Sequence, residues 1–180
     1  MNDTKKHFSG RYLGIRERDN WEFATRTNAS AVVVLVPVTD NDELVLVEQY
    51  RVPVNSMVIE LPAGLVGDLD DAQESVITAA HRELEEETGF RSGRLTHILS
   101  CPSSPGMSDE MISIYLAEDL VRTGPGGGDG NEDIEVHIVP VADVSDWLSD
   151  MMKKGKQVDP KTYSALFWLE RRKAGLAPIP

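Results

Sequence analysis

The chain has little that would hold it together in an oxidising environment or anchor it in a membrane. Cys101 is the single cysteine, which excludes an internal disulfide and a thiolate zinc cluster. The longest apolar run, residues 31–38, is far shorter than the roughly 20 residues of a membrane-spanning helix. Residues 1–7 are polar and lack the apolar segment of a secretory signal. We therefore expect a cytoplasmic protein with no membrane partner, in which residues 1–180 form one domain.

Basic residues are also scarce. Lysine and arginine number 18 against 30 aspartates and glutamates, which gives a net charge of −12. Proteins that hold long nucleic acids usually carry basic surfaces, so we expect no nucleic-acid partner. The two basic clusters, residues 153–156 and 171–173, end predicted helices, where positive charge matches the helix dipole. The composition favours a small phosphorylated substrate, whose charge is balanced by metal ions and a few placed arginines.

One glutamate-rich segment, residues 82–90, carries most of the functional information. Glu83, Glu86 and Glu87 have the spacing i, i+3, i+4, which puts them on one face of a helix predicted for residues 72–88. Like charges at this spacing each cost a few tenths of a kcal/mol, and a hard divalent cation would remove that cost. The alternative is a solvated helix face, which is the commoner explanation of a glutamate run.

The residues around this segment favour the metal site. The positions concerned are Gly64, Glu74, Arg82, Glu83, Glu86, Glu87 and Gly89. Taken together they resemble the signature of the Nudix hydrolases, within a Nudix box at residues 61–90. The spacing between Gly64 and Glu74 is longer than in the family pattern, which predicts an extended loop before the helix.

Hydrophobic patterning predicts an α+β fold. Residues 1–10 are expected to form a loose tail, and the two strands 30–39 and 44–50 a hairpin. The helix at 72–88 is expected to be capped by Asp70 or Asp71, to end at Gly89, and to bury Val76, Ile77, Ala80 and Leu84. The last predicted helix is expected to begin with Asp159 as its cap and Pro160 at its first position. The resemblance implies a Nudix-type α/β/α sandwich with a mixed β-sheet, plus N-terminal strands in residues 1–30 that swap in a dimer. Further strands are predicted at 11–15, 21–26, 58–61, 94–100, 111–116 and 134–140, and helices at 142–154 and 160–174.

Further motifs indicate which branch of the family the chain resembles. They are residues 21–22, 26–27, 48–51, 61–64, 104–106, 108–110, 131–134 and 136–137. They resemble the branch of ADP-ribose pyrophosphatases and other nucleoside diphosphate sugar hydrolases, which implies cleavage of ADP-ribose to AMP and ribose 5-phosphate by a homodimer. Two alternatives stay open: hydrolysis of GDP-mannose or another nucleotide sugar, and a non-catalytic nucleotide-sugar sensor.

The resemblance also implies a role for each site residue. Magnesium, with manganese as a substitute, would bind Glu83, Glu86, Glu87 and the carbonyl of Ala63. Glu132 is the candidate general base or loop-borne metal ligand, and Arg82 with Glu74 would orient the glutamates. The histidines at 81 and 137 are interpreted as structural. The predicted substrate contacts are Trp21, which is equally well explained as a core residue, Arg26, Arg51, Ser104, Gly106 and Glu110.

Overall fold

The computed structural model describes residues 4–67, 73–128 and 133–176. Its strands are β1 (Lys5–Ser9), β2 (Leu13–Arg18), β3 (Trp21–Arg26), β4 (Ala31–Pro37), β5 (Glu43–Arg51), β6 (Ser56–Glu60), β7 (Ala63–Val66), β8 (Phe90–Pro102), β9 (Met111–Arg122), β10 (Ile134–Pro140) and β11 (Gln157–Val158). Its helices are α1 (Val76–Thr88), α2 (Val144–Lys153) and α3 (Pro160–Lys173). None of the helices in the described ranges is long and apolar enough to cross a bilayer.

Two four-stranded sheets form the body of the molecule. One has the order β7-β4-β9-β8, and the other has the order β10-β5-β6-β11. Both are mixed, because β4 runs parallel to β9 and β6 runs parallel to β11 while the other pairs are antiparallel. The predicted mixed sheet is confirmed.

The predicted hairpin of residues 30–39 and 44–50 is wrong. The turn between these strands forms, and a single bridge joins Val38 to Leu44. Beyond it the strands separate into different sheets, since β7 and β9 occupy both edges of β4 while β10 and β6 occupy both edges of β5. Strand and turn signals along the chain do not contain this choice of partners.

Alternation along β4 explains the layers. Val34 and Val36 join a buried cluster with side chains of α2 and α3. Val33 and Leu35 face the other way, into a cluster with side chains of α1. Helices therefore cover opposite faces of the strands, and the expected α/β/α sandwich is confirmed.

Helix α1 starts later than predicted. Its N-cap is Ser75, whose hydroxyl accepts a hydrogen bond from the Thr78 amide at 3.1 Å. The caps proposed at positions 70 and 71 lie outside the described residues. Ile77 is 43% exposed, so its predicted burial is wrong, and Ala79 takes its place in the core. Gly89 ends the helix at φ 72°, as predicted.

The N-terminal strands form a separate three-stranded sheet in the order β1-β2-β3. The prediction of a loose tail is wrong for residues 5–9, because β1 pairs with β2. The segment Lys5–Ser9 is exposed throughout and has no apolar alternation from which a strand could be predicted. The N-terminal sheet and its connections leave four large apolar or aromatic side chains largely exposed to solvent: Phe8, Tyr12, Leu13 and Trp21.

Candidate active site

The glutamates of α1 lie against β7, where the Glu83 side chain comes close to the backbone of Gly64. An ideal Cβ on Gly64 would overlap the carboxyl group of Glu83. The neighbouring Ala63 amide donates a hydrogen bond to Glu87 Oε2 at 3.1 Å. Glu83 and Glu87 are both buried, with less than one-tenth of each residue's surface exposed. The absence of a side chain at Gly64 is therefore what lets a buried carboxylate reach the strand.

Arg82 connects the carboxylates of the site. Its Nε and Nη2 donate to the two oxygens of Glu74 at 3.0 and 3.1 Å. Its Nη1 donates to Glu83 at 2.8 Å and to Glu86 at 3.2 Å. Nη2 also reaches the Leu65 carbonyl at 3.0 Å. One guanidinium thus ties the helix to the strand and to the loop that precedes the helix.

This network shifts ionisation at both ends. The hydrogen bonds from Arg82, together with the Gly67 amide, hold the pKa of the Glu74 carboxyl below its usual value. The hydrogen bonds to Glu74, with Glu83 adding to them, raise the pKa of the Arg82 guanidinium. Both groups are charged at neutral pH, as an orienting ion pair requires.

Two further arginines face the same cleft, and each has a carboxylate partner. Arg51, at the end of β5, donates to Glu60 at 2.7 Å. Arg26, at the end of β3, donates to Glu110 at 2.5 Å. Burial raises the pKa of the Glu60 carboxyl, and the Arg51 charge opposes that shift. The arginines are held in place before any ligand binds.

The cleft has a volume of about 480 Å³. That volume is in the range typical of small-molecule sites. Strands from both sheets, helix α1, the start of α3 and the β8–β9 loop contribute to it. Its charged and polar lining residues are Arg26, Arg51, Glu60, Arg82, Glu83, Glu86, Ser103, Glu110 and Lys161.

Some predicted substrate residues lie elsewhere. Trp21 is 62% exposed, and its indole nitrogen approaches the Gly106 carbonyl at 3.4 Å. Ser104 and Gly106 do not line the cleft, whereas Ser103 does. Glu132 lies outside the described residues.

Two charged lining residues, Glu60 and Lys161, were not predicted from the sequence. Lys161 had a detectable signal, because a cation in the first turn of a helix is disfavoured by the helix dipole. The residues around it were interpreted only as a helix cap, with Asp159 at the cap and Pro160 at the first position. Glu60 follows an apolar strand directly, and nothing in its spacing separates a buried carboxylate from an exposed one.

The donor set of α1 and β7 fits a hard divalent cation. It consists of carboxylates and main-chain carbonyls, the oxygen ligands that magnesium and manganese prefer. The glycine cradle brings Glu83 onto β7 beside Ala63, and Arg82 holds the Glu86 carboxylate next to Glu83. Glu87 is the exception in its present contact, since it accepts from an amide.

A second acidic group lies on the β5–β10 pair and does not argue for a cation. Ligand atoms of Glu48, Glu135 and His137 come within 4.8 Å of one another. Lys156 already donates to Glu48 at 2.5 Å, and His137 contacts the same oxygen at 3.0 Å. The structural role predicted for His137 agrees with this burial and pairing.

Comparison with known proteins agrees with the site. A model of the NUDIX domain matches residues 29–166. A Bacillus methanolicus protein named methanol dehydrogenase activator is 30% identical over 177 residues, covering 95% of this chain and 92% of its own. The ADP-ribose pyrophosphatase of Bacillus subtilis (strain 168) is 34% identical over 143 residues, covering 79% and 73%. That of Escherichia coli (strain K12) is 32% identical over 157 residues, covering 83% and 70%.

A solved structure extends the likeness to the whole chain. The crystal structure of an ADP compounds hydrolase matches with a TM-score of 0.72 and 26% identity, covering 99% of this chain and 95% of its own. The family model alone spans most of the chain, and the relatives align well beyond the glutamate helix. The chain therefore belongs to the Nudix family, among relatives that include the ADP-ribose pyrophosphatases it resembles.

Proposed function

We propose that this protein is a pyrophosphohydrolase that cleaves ADP-ribose to AMP and ribose 5-phosphate. The observation that carries the proposal is one cleft that contains both the α1 carboxylates and two arginines, Arg26 and Arg51. Carboxylates suit a divalent cation, and arginines suit phosphate oxygens. The names of the Bacillus subtilis and Escherichia coli relatives support this choice of substrate.

Glu83, Glu86, Glu87 and the carbonyl of Ala63 would hold Mg²⁺, or Mn²⁺ in its place. When bound, the metal would neutralise phosphate charge and make a water molecule more acidic. In the hydrolysis a water oxygen forms a bond to one phosphorus and the P–O–P bridge breaks, so that the two phosphates leave as AMP and ribose 5-phosphate. Glu132 is the candidate acceptor of the proton that the water releases.

The remaining residues bind and orient the substrate. Arg51 and Arg26 exchange part of their contact with Glu60 and Glu110 for the phosphates, to which a guanidinium donates two parallel hydrogen bonds. Arg82, held by Glu74, keeps the ligand glutamates in position. These interactions carry most of the work, since phosphoryl transfer depends mainly on positioning and charge.

A homodimer completes the proposal. The N-terminal sheet exposes Phe8, Tyr12, Leu13 and Trp21. A second copy that covers this surface would bury these apolar side chains. Trp21 would then face the cleft of the second copy, where its indole can stack on the nucleobase of the bound substrate. Light scattering on the purified chain should give twice the monomer mass, and Leu13→Asp should shift it toward the monomer. A monomeric wild-type protein would contradict the dimer.

The first experiment is a hydrolysis panel in Mg²⁺ with ADP-ribose, GDP-mannose, ADP-glucose, NADH, a diadenosine polyphosphate and ATP. Glu87→Gln should reduce turnover by at least about 100-fold. The matched control is Glu85→Gln on the same helix, because Glu85 contacts the exposed Arg91 and does not line the cleft. It should stay within about threefold of wild type.

A second function is favoured by the long alignment with the methanol dehydrogenase activator. The chain would then regulate a partner dehydrogenase, with or without turnover. Adding the wild type and Glu87→Gln to a methanol dehydrogenase assay separates the cases. Activation by both proteins supports a sensor, and activation by the wild type alone supports an effect through hydrolysis. A folded protein that cleaves nothing in Mg²⁺ or Mn²⁺ would overturn the hydrolase proposal.

A further inference from the structure

The charges that line the cleft are almost all neutralised from within it. Arg51 is paired with Glu60, and Arg26 is paired with Glu110. Arg82 contacts Glu83 and Glu86, and also Glu74, which does not line the cleft. The other carboxylates in these pairs are themselves lining residues. The pairs therefore bring no net positive charge to a ligand that carries two phosphates.

Lys161 differs from these arginines. Its ammonium lies 2.6 Å from Asp159 Oδ2, and Asp159 does not line the cleft. Arg82 also has a carboxylate partner outside the cleft lining, Glu74, but it contacts two lining carboxylates as well. Among the described residues, the ion pair of Lys161 is with Asp159. The Lys161 side chain is 30% exposed and lines the cleft. Lys161 also belongs to the first turn of α3, whose N-terminal amides add partial positive charge.

The local backbone fixes where this charge sits. Strand β11 pairs in parallel with β6, with Val158 opposite Ile59. The Asp159 amide then donates to the Ile59 carbonyl at 2.9 Å. This contact places the start of α3 beside Glu60, the residue that follows Ile59. Lys161 therefore belongs to the cleft wall formed by β6 and α3. Glu83 and Glu86 belong to the wall formed by α1.

Asp159 can release the ammonium without losing the helix cap. Its Oδ1 accepts a hydrogen bond from the Lys161 amide at 2.7 Å, while its Oδ2 contacts the Lys161 ammonium. The two oxygens thus hold the main chain and the side chain separately. Movement of the side chain toward a ligand breaks one contact and leaves the other, so the helix end need not change.

We propose that Lys161 binds a phosphate of the substrate diphosphate and is a specificity-determining residue of this cleft. The proposal rests on the proposed function, since it assigns a further contact to the same substrate. The chemical class it selects is a ligand with two linked phosphates. A nucleoside with a single phosphate would bind without this contact.

The test compares Lys161→Met with Lys161→Arg, using Lys153→Met as a matched control on an exposed lysine of α2. For Lys161→Met we expect KM for ADP-ribose to rise about 10-fold, as for loss of one charged hydrogen bond, while kcat changes less than about threefold. Lys161→Arg should return KM to within about threefold of wild type. Lys153→Met should leave both constants unchanged.

Binding of inorganic pyrophosphate and of AMP by calorimetry in Mg²⁺ gives a readout that needs no turnover. Lys161→Met should weaken pyrophosphate binding about 10-fold and change AMP binding little. If wild type does not cleave ADP-ribose, the proposed function fails, and pyrophosphate still tests Lys161. If wild type cleaves ADP-ribose while KM and pyrophosphate affinity are unchanged in Lys161→Met, only the role of Lys161 is overturned.

Discussion

Gly64 and Glu83 share a space that has no room for one more carbon atom. They belong to different elements, β7 and α1, and an ideal Cβ on the glycine would overlap the carboxyl carbon of the glutamate. The position is not one of positive φ, so the requirement for glycine comes from close approach and not from backbone conformation.

Gly64→Ala should therefore displace the Glu83 side chain without preventing folding. We expect at least about a 10-fold loss of Mg²⁺ affinity, comparable to disturbing the support of a metal ligand. Calorimetric Mg²⁺ titration measures it. Gly124→Ala is the control, because a Cβ there meets no atom within 4 Å. Equal affinity in wild type and Gly64→Ala would show that Glu83 does not hold the metal.

Arg82 should matter for stability as well as for activity. Its side chain is 19% exposed and contacts three carboxylates, so Arg82→Met leaves buried negative charge without its cation. We expect a loss of about 3 kcal/mol in the free energy of unfolding, measured by urea denaturation. Arg91→Met removes an exposed pair with Glu85 and should cost less than about 1 kcal/mol. Equal losses in the two variants would contradict the central role of Arg82.

Metal binding should stabilise the fold. A cation present at 100 times its dissociation constant adds about 2.7 kcal/mol, which corresponds to a rise in Tm of roughly 5–10 °C for a chain of this size. Differential scanning fluorimetry with Mg²⁺, Mn²⁺ and EDTA measures the shift. Glu87→Gln should reduce it, and Glu85→Gln should preserve it. An equal shift in all three proteins would point to cation binding elsewhere.

The loss of folding stability at acid pH should depend in part on Glu74. Its folded-state pKa lies below the usual value, so the stability it contributes is present above about pH 4.5 and is lost as the pH falls through the folded pKa. The gap in unfolding free energy between wild type and Glu74→Gln should shrink from about pH 6 to about pH 3. Urea denaturation across that range measures it.

The stability that Glu60 contributes should depend on pH in the opposite direction. Burial raises its folded-state pKa, so its contribution is present below about pH 4.5 and is lost as the pH rises through the folded pKa. Glu60→Gln should therefore become more favourable relative to wild type with rising pH. Parallel pH profiles for the variants at 74 and 60 would contradict both assignments.

The local elements could be predicted from the sequence because they depend on neighbours in the chain. Gly89 ends α1 and Asp159 begins α3 as expected, since caps are set within a few residues. Strand β1 could not be predicted, because its residues are exposed and its pairing depends on β2. Strand β4 pairs with β7 and β9, and β5 pairs with β10 as well as with its neighbour β6. The patterns along the chain predicted these strands but not their distant partners.

The candidate site divides in the same way. The α1 glutamates were predicted from their helical spacing, and their proximity to Ala63 and Gly64 followed from the family resemblance. Lys161 belongs to the opposite end of the chain and reaches the cleft only through the pairing of β11 with β6. The lysine in the first turn of a helix is an unusual feature of the sequence, but the spacing of nearby residues does not show that it reaches this cleft.

The chain passes from one sheet to the other between β6 and β7 through only Leu61 and Pro62. Glu60 on one side and Ala63 on the other are therefore separated by three peptide links, which span at most about 11 Å, and proline fixes one of the backbone angles. This short connection limits the distance between the cleft wall formed by β6 and α3 and the wall formed by α1, which packs against β7. The length of ligand that fits between these walls is therefore bounded by the covalent connection between the two sheets.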